Sequence, residues 1–254
     1  MHLSEYFILQ DKINKSVRLA IISDLHGTDP HEAIELLRAA SPDVILAPGD
    51  IFERVDNFSK RLDSMNEKGF LLLSEAAKIA PTYYSPGNHE IGGTHSWAMG
   101  MRIKRPARAE WSDENLSRLK SSGVVFLDDS YVVTDGFAIG GLSSGILNGR
   151  GVPNLSWLDD FSNEHCPKIL LCHHPEYYEK YLRERDIDII VSGHAHGGQW
   201  RFFGRGIFAP GQGFFPRYTK GVYDNRFVVG TSIKGSGTVP RIFNSPEIVI
   251  VNVN

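Results

Sequence analysis

The sequence predicts an α/β fold, specifically a four-layer α/β/β/α sandwich of two mixed sheets with flanking helices. Three observations predict it: apolar runs of strand length, helical periodicity between the first runs, and a later change to short strands without helices between them. The composition agrees, because 254 residues with 41 % hydrophobic and 22 % charged residues are typical of an ordinary globular protein.

Five apolar runs have the length and composition of buried strands, and each ends at a polar cluster. They occupy residues 17–23, 43–47, 82–85, 168–172 and 187–192. Between the first two, residues 31–40 place apolar side chains at helical spacing, and residues 62–79 form a second helical stretch before the third run. The alternation of strand and helix predicts βαβ units and a largely parallel sheet.

The pattern of the sequence changes after residue 124. VVFL, YVVT and FAIGG follow one another as short strands separated by turn residues, and RFVVGTS and EIVIVNVN repeat this pattern near the end. We therefore predict a second, more antiparallel sheet packed on the first. No Pro/Gly-rich linker divides the chain. Residues 1–254 are interpreted as one domain, with residues 91–120 as a cap or insertion and residues 200–223 as a substrate-side loop.

Side chains that can carry chemistry are concentrated directly after the five apolar runs. The clusters contain six of the ten histidines, and in order they are DLH (24–26), GD (49–50), GNHE (87–90), HHP (173–175) and GHAH (193–196). In open α/β sheets, ligand sites form beyond the carboxyl ends of the strands. The clusters can therefore converge in space although they are scattered along the chain.

The residue types in these clusters suit a metal site. Imidazole, carboxylate and carboxamide groups without thiolate match manganese, iron, zinc or nickel, and ligand type alone leaves the choice among them open. Alternate side chains of an extended segment point to the same side, so Asp24 with His26 and His194 with His196 can each address one site. The neighbouring glycines are interpreted as tight turns under a ligand rather than ordinary turn punctuation; they are Gly27, Gly49, Gly87, Gly193 and Gly197.

In this order the five clusters resemble the signature of the calcineurin-like metallophosphoesterases, and the resemblance covers residues 24–196. The last cluster continues as GGQ (197–199), which is similar to a bacterial phosphohydrolase and phosphodiesterase branch whose final motif is GHxHGGQ. The resemblance implies a metal-dependent phosphoesterase that hydrolyses a phosphodiester, or a phosphomonoester, by attack of a metal-bridging hydroxide. It also implies two divalent metal ions (Mn, Fe, Zn or Ni) and a small phosphorylated substrate.

The resemblance further implies a role for each residue of the site. One ion would be held by Asp24, His26 and His196, and the other by Asn88, His173 and His194. The Asp50 carboxylate would bridge the two ions, and His89 would act as the catalytic acid that protonates the leaving oxygen.

Two other functions compete with a phosphoesterase. A non-catalytic interaction module on the same metal-binding scaffold would be expected to have lost ligands or His89, and none is lost. A metallo-β-lactamase-like enzyme would require an HxHxDH cluster, which the sequence lacks. A single histidine is more often an ordinary hydrogen-bonded side chain than a ligand, but five clusters in register favour the metal site.

Several residues near the clusters are left outside the chemistry. His174 matches a variable position of the family and is not expected to be a ligand, and Glu90 is expected to cap or pair locally. The basic run RIKRPAR is interpreted as a solvated loop, with binding of a second phosphate or of a nucleic-acid backbone as the alternative; its charges are Arg102, Lys104, Arg105 and Arg108. The aromatic and basic residues of segment 200–223 could form a substrate wall or pack against the sandwich.

Charge and hydropathy limit the partners. A formal net charge of −3 provides no whole-molecule attraction for nucleic acid or an anionic membrane. A nucleic-acid partner is therefore possible, but the sequence does not indicate one. No apolar stretch approaches the length of a membrane span or an export signal, so we expect a cytoplasmic protein. Cys166 and Cys172 would stand about 20 Å apart on a strand and are expected to be free thiols. The oligomeric state stays open.

Overall fold

The structure is a computed structural model that describes residues 1–13, 15–53, 60–91, 96–98, 101–103, 110–145, 152–234 and 240–254, with the side chains of residues 60–62, 96–98 and 101–103 left aside. Residues 92–95, 99–100 and 104–109 of the proposed cap at residues 91–120 therefore lie outside the described residues, as does most of the basic run RIKRPAR.

The first sheet brings both ends of the described chain together. It is built from β1 (His2–Ile8), β2 (Val17–Ile21), β3 (Val44–Ala47), β4 (Thr82–Tyr84), β7 (Val125–Phe126) and β18 (Glu247–Val253). Their order is β1-β18-β2-β3-β4-β7. The strands from β2 to β7 are parallel, and the last strand enters antiparallel to β2 and parallel to β1.

The second sheet lies against the first and also has six strands. It is built from β8 (Ser130–Val133), β9 (Ala138–Leu142), β10 (Lys168–Cys172), β11 (Ile189–Ser192), β16 (Gly221–Tyr223) and β17 (Phe227–Val229). Their order is β16-β17-β11-β10-β9-β8. The four central strands are parallel, and only the edge strands β8 and β16 run antiparallel to their neighbours.

Helices and short hairpins complete the described chain. The helices are α1 (His31–Ala40), α2 (Lys60–Ile79), α3 (Asn88–Ile91), α4 (Asp113–Ser121) and α5 (Leu158–Ser162), with a π-helical turn at Tyr178–Leu182 and a 3-10 turn at His196–Gly198. The two-stranded hairpins pair β5 (Ser96–Ala98) with β6 (Met101–Ile103), β12 (Arg201–Phe202) with β13 (Arg205–Gly206), and β14 (Phe208–Ala209) with β15 (Gly213–Phe214).

Period-two alternation along the strands divides the core into three layers. Leu19 and Ile21 of β2 face the second sheet and pack with a cluster that includes Ile169 and Val191. The alternate β2 residue Ala20 faces the helical layer, where it packs with a cluster from α1 and α2. A third cluster lies on the outer face of the second sheet, against α5 and the π-helical turn. The predicted four-layer α/β/β/α sandwich is confirmed.

Two details of the sequence prediction are wrong. The second sheet is parallel at its centre, because periodicity reports burial and cannot report the direction of a partner strand. VVFL and EIVIVNVN join the first sheet as β7 and β18, and β1 was not predicted at all. Most of its residues are exposed or half-buried, so its apolar signal is weak.

Two expectations about the chain can be compared directly with the structure. Among the described residues, no helix combines the length and the apolarity that crossing a membrane requires. Cys166 and Cys172 are both free thiols, as predicted.

Candidate metal centre

The loops that follow β2 and β3 are hydrogen-bonded side by side at the carboxyl edge of the first sheet. The backbone N–H of Asp24 donates to the carbonyl of Gly49 at 3.1 Å, and the N–H of Leu25 donates to the carbonyl of Asp50 at 2.8 Å. These bonds bring the DLH and GD clusters together. They place two carboxylates that are almost completely buried, those of Asp24 and Asp50, in neighbouring loops.

Groups from the second sheet close the site from the opposite side. The backbone N–H of His194 lies 3.2 Å from both carboxylate oxygens of Asp24. The Nδ1 of His173 lies 2.7 Å from the carbonyl oxygen of Pro48, so this nitrogen donates and its Nε2 remains for a ligand. The carboxyl edges of the two sheets therefore meet at one place.

The first group of candidate ligands is Asp24, His26 and His196. The potential ligand atoms of these three residues lie within 4.8 Å of one another. The Nε2 atoms of His26 and His196 are 3.8 and 3.6 Å from Oδ1 of Asp24. These separations leave room for a cation between the side chains, because they exceed hydrogen-bond length while the metal–ligand distances involved are about 2.0–2.2 Å.

The second group consists of Asp50, His173 and His194, whose potential ligand atoms also lie within 4.8 Å of one another. Oδ2 of Asp50 lies 3.2 Å from Nε2 of His173 and 3.6 Å from Nε2 of His26. Oδ1 of the same carboxylate accepts the backbone N–H of His89 at 2.9 Å. One Asp50 oxygen is therefore fixed by the protein, and the other faces histidines of both groups.

Two buried atoms at this place support the fit of a cation. Among the described residues, Oδ1 of Asn88 and Nε2 of His173 are buried side-chain atoms without a hydrogen-bond partner. Buried polar atoms are almost always hydrogen-bonded, so such a pair needs an explanation. Both atoms are of the ligand types that divalent ions accept, and both belong to residues predicted to hold one ion.

The backbone of the candidate ligands is strained. Five of the seven have positive φ angles between 45° and 63°; they are Asp24, His26, Asp50, His194 and His196. A side chain with a Cβ adopts this region at a cost of roughly 1–2 kcal/mol per residue. Such conformations persist where surrounding structure imposes them and are concentrated at functional sites. The strain therefore marks the same residues that the clusters predict.

The glycines beside the ligands serve two different purposes. Gly49 has φ = 90°, as a tight turn requires. Gly87 and Gly193 instead avoid a collision, since a Cβ there would lie 2.3 Å from Oδ1 of Asp50 and 2.4 Å from Oδ2 of Asp24. The prediction that these glycines support the site agrees with both observations.

Electrostatic coupling among these groups is strong. Burial alone would raise the pKa of Asp24, but the nearby imidazoles of His196, His26 and His173 outweigh it and hold that pKa below its usual range. Burial opposes protonation of His26, yet the nearby carboxylates of Asp24, Glu53 and Asp50 raise its pKa to about 10. Burial lowers the pKa of His196 to about 4. The centre thus holds carboxylates that stay ionised and histidines that differ widely in basicity.

His89 lies at the open side of this centre. Its side chain is 38 % exposed, its Nε2 is 3.9 Å from Oδ2 of Asp50, and its ring contacts that of His26 edge to face at 4.3 Å between centroids. It is therefore beside the candidate ligands and still reachable from solvent, as an acid catalyst must be.

Glu53 is a residue of the site that the sequence analysis missed. Its two carboxylate oxygens lie 3.0 Å from Nδ1 of His26 and 2.8 Å from Nδ1 of His89. Although burial opposes ionisation, these two histidines lower the pKa of Glu53 to about 2. A carboxylate only accepts, so both Nδ1 atoms donate and both Nε2 atoms face the centre. In the sequence, the feature that could have indicated Glu53 was its position three residues after Asp50.

Glu90 is a structural anchor, and its partners are more distant in sequence than predicted. Its carboxylate accepts the backbone N–H groups of Asp50, Ile51, Phe52 and Gly87 at 2.7 to 3.0 Å. Glu90 is completely buried. It therefore fixes the loop that carries Asp50 against the loop that carries Asn88.

His174 extends the histidine cluster away from the main groups. It is completely buried, with Nε2 2.6 Å from Oγ of Ser144 and Nδ1 3.2 Å from Oε1 of Glu176. Its ring lies 4.3 Å from that of His194. Both ring nitrogens have protein partners, and the potential ligand atoms of His174, Glu176 and His194 also lie within 4.8 Å of one another. That His174 is not a ligand stays a prediction.

The comparison with known proteins agrees with the motifs and with their arrangement in the structure. The calcineurin-like phosphoesterase family matches residues 17–198, which include all five clusters. The chain belongs to this family. Members of the family are metallophosphoesterases, which implies divalent metal ions at the centre described above.

Three relatives illustrate the range of the family. Phosphodiesterase YaeI of Escherichia coli is 29 % identical over 234 residues, which cover 90 % of this chain and 70 % of the relative. An uncharacterized metallophosphoesterase of Campylobacter jejuni is 26 % identical over 253 residues, covering 95 % of this chain and 60 % of the relative. Another from Helicobacter pylori strain 26695 is 25 % identical over 201 residues, covering 76 % and 48 %. The chain therefore spans about half to two thirds of the length of several relatives.

Proposed function

We propose that this calcineurin-like phosphoesterase hydrolyses a phosphoester at a centre of two divalent ions, with a phosphodiester preferred over a monoester. The observation that carries the proposal is that six ligand-type side chains from two sheets form two groups, and that Oδ2 of Asp50 lies near His26 of one group and His173 of the other. The name phosphodiesterase given to the Escherichia coli relative favours a diester. Membership in the branch whose signature ends in GHxHGGQ is part of this proposal.

Each candidate residue has an assigned role in the proposal. Asp24, His26 and His196 would hold one ion, and Asn88, His173 and His194 would hold the other, with Asp50 between them. When bound, such ions lower the pKa of a coordinated water toward ~7 and polarise phosphoryl oxygens. The protein supplies the ligand geometry, because the turns at Gly49 and Gly87 and the carboxylate of Glu90 fix the loops that carry Asp50 and Asn88.

His89 would deliver the proton that the leaving oxygen requires. Its Nδ1–H is held by Glu53 at 2.8 Å, so the Nε2 atom points toward the centre and is the atom that gives up the proton. The carboxylate of Glu53 stabilises the charged imidazole before transfer. His89 is partly exposed, so it can be reprotonated from solvent after each turnover.

The proposal treats residues 1–254 as one catalytic domain, with residues 91–120 as a cap and residues 200–223 on the substrate side. Small phosphorylated molecules are the proposed substrates. The described residues supply the centre itself, whereas selection among substrates is assigned to these two segments.

Metal analysis combined with a diester assay tests the proposal. We expect about two divalent ions per chain after reconstitution with Mn²⁺, and hydrolysis of bis-p-nitrophenyl phosphate at a higher rate than p-nitrophenyl phosphate. Asp50→Asn should lose ions and activity together, whereas Asp43→Asn, a change at an exposed carboxylate, should lose neither. Fewer than two ions together with no hydrolysis would instead favour a non-catalytic interaction module on the same scaffold.

A further inference from the structure

A group of exposed phenylalanines lies directly after the last metal cluster. Five of these phenylalanines lie in residues 201–215, which contain the two hairpins, and the sixth lies at residue 243. They are Phe202, Phe203, Phe208, Phe214, Phe215 and Phe243. Their exposed fractions range from 37 % for Phe208 to complete exposure for Phe203. Packing against the sandwich was one interpretation of segment 200–223. These phenylalanines do not pack in that way, whereas Tyr218 of the same segment is buried in the core cluster on the outer face of the second sheet.

Two of these rings are exposed at residues whose backbone is in the left-handed region. Phe203 (φ = 50°) lies in the turn between β12 and β13, and Phe215 (φ = 53°) directly follows β15. A positive φ is unfavourable for a bulky residue, and neither ring gains burial in return, since they are 105 % and 79 % exposed. Both aromatic side chains are therefore exposed to solvent although their backbone conformation is unfavourable.

We call these six exposed residues the aromatic patch, and four of their rings contact one another in two pairs. Phe202 contacts Phe243 at 5.8 Å between ring centroids, and Phe208 contacts Phe214 at 5.5 Å. The two hairpins are joined through the backbone, because the N–H of Phe215 donates to the carbonyl of Ile207 at 2.8 Å. Exposed apolar groups that adjoin one another in this way mark interaction sites, whereas single exposed residues need no explanation.

Basic side chains line a cavity beside Phe215 of the aromatic patch. A cavity of about 530 Å³ lies between the first hairpin and Phe215, and its lining includes four basic residues: Arg201, Arg205, Arg217 and Lys220. Segment 200–223 contains these four basic residues and no Asp or Glu, in a chain whose formal net charge is −3. Positive charge is therefore concentrated locally at the aromatic patch.

Two of these arginines keep their charge available. Arg217 and Lys220 are paired with Glu179 and Glu247. Arg201 donates only to neutral groups, including the carbonyl of Gly197 at 2.8 Å, and no carboxylate lies within ion-pair distance of Arg205 among the described residues. An anion entering the cavity would meet guanidinium groups that no acidic side chain neutralises.

We propose that the aromatic patch docks this protein on an anionic lipid bilayer. Exposed rings enter the boundary between headgroups and acyl chains, and adjacent arginines pair with lipid phosphates; this combination of apolar and basic groups is typical of interfacial binding. Exposed rings beside guanidinium groups without an acidic partner fit a membrane surface, which has anionic headgroups on the outside and apolar acyl chains beneath them.

The docked surface lies next to the candidate metal centre. Arg201 donates to the carbonyl of Gly197, the residue after His196, and the side chain of Asn244, which follows Phe243, donates to the carbonyl of His196 at 2.7 Å. Docking through the aromatic patch would thus hold the centre close to the membrane surface. The proposal concerns binding and does not depend on the proposed hydrolysis.

Co-sedimentation with vesicles tests the docking. We expect the protein to bind phosphatidylcholine vesicles that contain about 25 % phosphatidylglycerol, and to bind pure phosphatidylcholine vesicles far more weakly. Raising NaCl from about 50 to about 500 mM should reduce binding, because salt screens the basic residues. Absence of binding to the anionic vesicles would overturn the proposal.

Variants of the aromatic patch distinguish it from the rest of the surface. Phe203→Asn with Phe215→Asn should reduce binding at least tenfold without unfolding the protein, because Asn tolerates positive φ and neither ring is buried. The matched control Phe7→Asn changes a phenylalanine that is 67 % exposed on β1 and should bind normally. Arg205→Gln should weaken binding about fivefold, whereas Lys120→Gln should not.

Light scattering identifies a competing outcome. The wild type and the Phe203→Asn, Phe215→Asn variant are expected to have the same molar mass in solution. If the wild type is a dimer and the variant a monomer, the aromatic patch is a contact between copies of this chain, and the membrane proposal is wrong. Unchanged vesicle binding by the variant would also overturn it.

Discussion

At the scale of single residues, the candidate centre depends on which nitrogen of each imidazole remains free. The Nδ1 atoms of His26 and His89 donate to Glu53, and that of His173 donates to the carbonyl of Pro48. In all three rings the Nε2 atom is left for the centre. The proposed distinction between His26 as a ligand and His89 as an acid therefore does not rest on the hydrogen bond at Nδ1. It rests on burial, since the side chain of His26 is 4 % exposed and that of His89 is 38 % exposed.

Replacement of His89 separates catalysis from metal binding. We expect His89→Ala to retain both ions and to lower kcat at least a hundredfold on bis-p-nitrophenyl phosphate, because general acid catalysis contributes about 10²–10⁴. Metal content is measured on the same preparation as the rate. His31→Ala, which changes an exposed histidine on α1, is the control and should leave both unchanged. Full activity of His89→Ala would refute the assigned role.

Replacement of Glu53 should affect both histidines that it holds. In Glu53→Gln one of the two Nδ1–H groups would face an amide N–H₂ in place of a carboxylate oxygen. We expect metal affinity to fall roughly 10–100-fold, as is usual when the partner of a ligating histidine is lost. With excess Mn²⁺ the occupancy should recover while kcat stays below that of the wild type, because His89 remains misoriented.

The readout for Glu53 is the comparison of kcat with metal occupancy across a Mn²⁺ titration. Glu35→Gln, at an exposed carboxylate of α1, provides the control and should behave as the wild type. If kcat recovers completely together with occupancy, Glu53 acts on His26 alone and the link to His89 is wrong.

At the scale of secondary-structure elements, close packing between loops determines the position of the ligands. The loop after β3 and the loop after β4 approach so closely that a Cβ at residue 87 would lie 2.3 Å from Oδ1 of Asp50 and 2.9 Å from the ring of His173. Glu90 bonds the same two loops together through four backbone N–H groups. The contact leaves no space for any residue except glycine.

Substitution of Gly87 tests this contact. Gly87→Ala should displace Asp50, lower metal affinity more than tenfold and reduce the free energy of unfolding by about 1–3 kcal/mol, as overpacked sites do. Gly136→Ala is the matched control, because a Cβ there meets nothing within 4 Å, and its effect should stay within about 0.5 kcal/mol. Chemical denaturation and metal titration measure both quantities. Normal metal affinity in Gly87→Ala would contradict the packing argument.

The elements also explain which parts of the structure the sequence could predict. Buried parallel strands such as β10 are nearly continuous apolar runs that end at chemistry-bearing residues, so both the strand and the cluster after it could be predicted. The half-exposed strand β1 has no such run, and the pairing of β18 between β1 and β2 depends on contacts distant in sequence. Glu53 was missed because its role arises only when the loops that carry His26 and His89 meet.

At the scale of the whole molecule, the candidate centre joins two sheets. Asp24, His26, Asp50 and Asn88 follow strands of the first sheet, and His173, His194 and His196 follow strands of the second. Elsewhere the sheets are held by the apolar layer that includes Leu19, Ile21 and Val191. At the carboxyl edge the contact is polar, buried and highly charged, so ions that bridge the two sets of ligands should stabilise the entire sandwich.

Metal removal should therefore lower the melting temperature, and by more at higher pH. In the metal-free protein the pKa of His26 is raised to about 10 and that of His173 to about 9, against burial, by the neighbouring carboxylates. Both protons must leave before Nε2 can bind an ion, so metal affinity rises with pH between pH 6 and 8, about tenfold per pH unit for each proton displaced.

The same raised pKa values stabilise the metal-free fold below about pH 6.5, and that contribution decreases as pH rises toward 9. Both statements describe the same protons on His26 and His173, so the stabilisation by metal increases with pH. Differential scanning calorimetry with Mn²⁺ and with EDTA should thus give a gap of about 5–10 °C at pH 8 and a smaller one at pH 6, since a hundredfold excess over Kd is worth about 2.7 kcal/mol and each kcal/mol shifts Tm by about 2–4 °C. Asp50→Asn should show almost no gap at either pH, and a gap in the wild type that is independent of pH would mean that these histidines do not bind the ions.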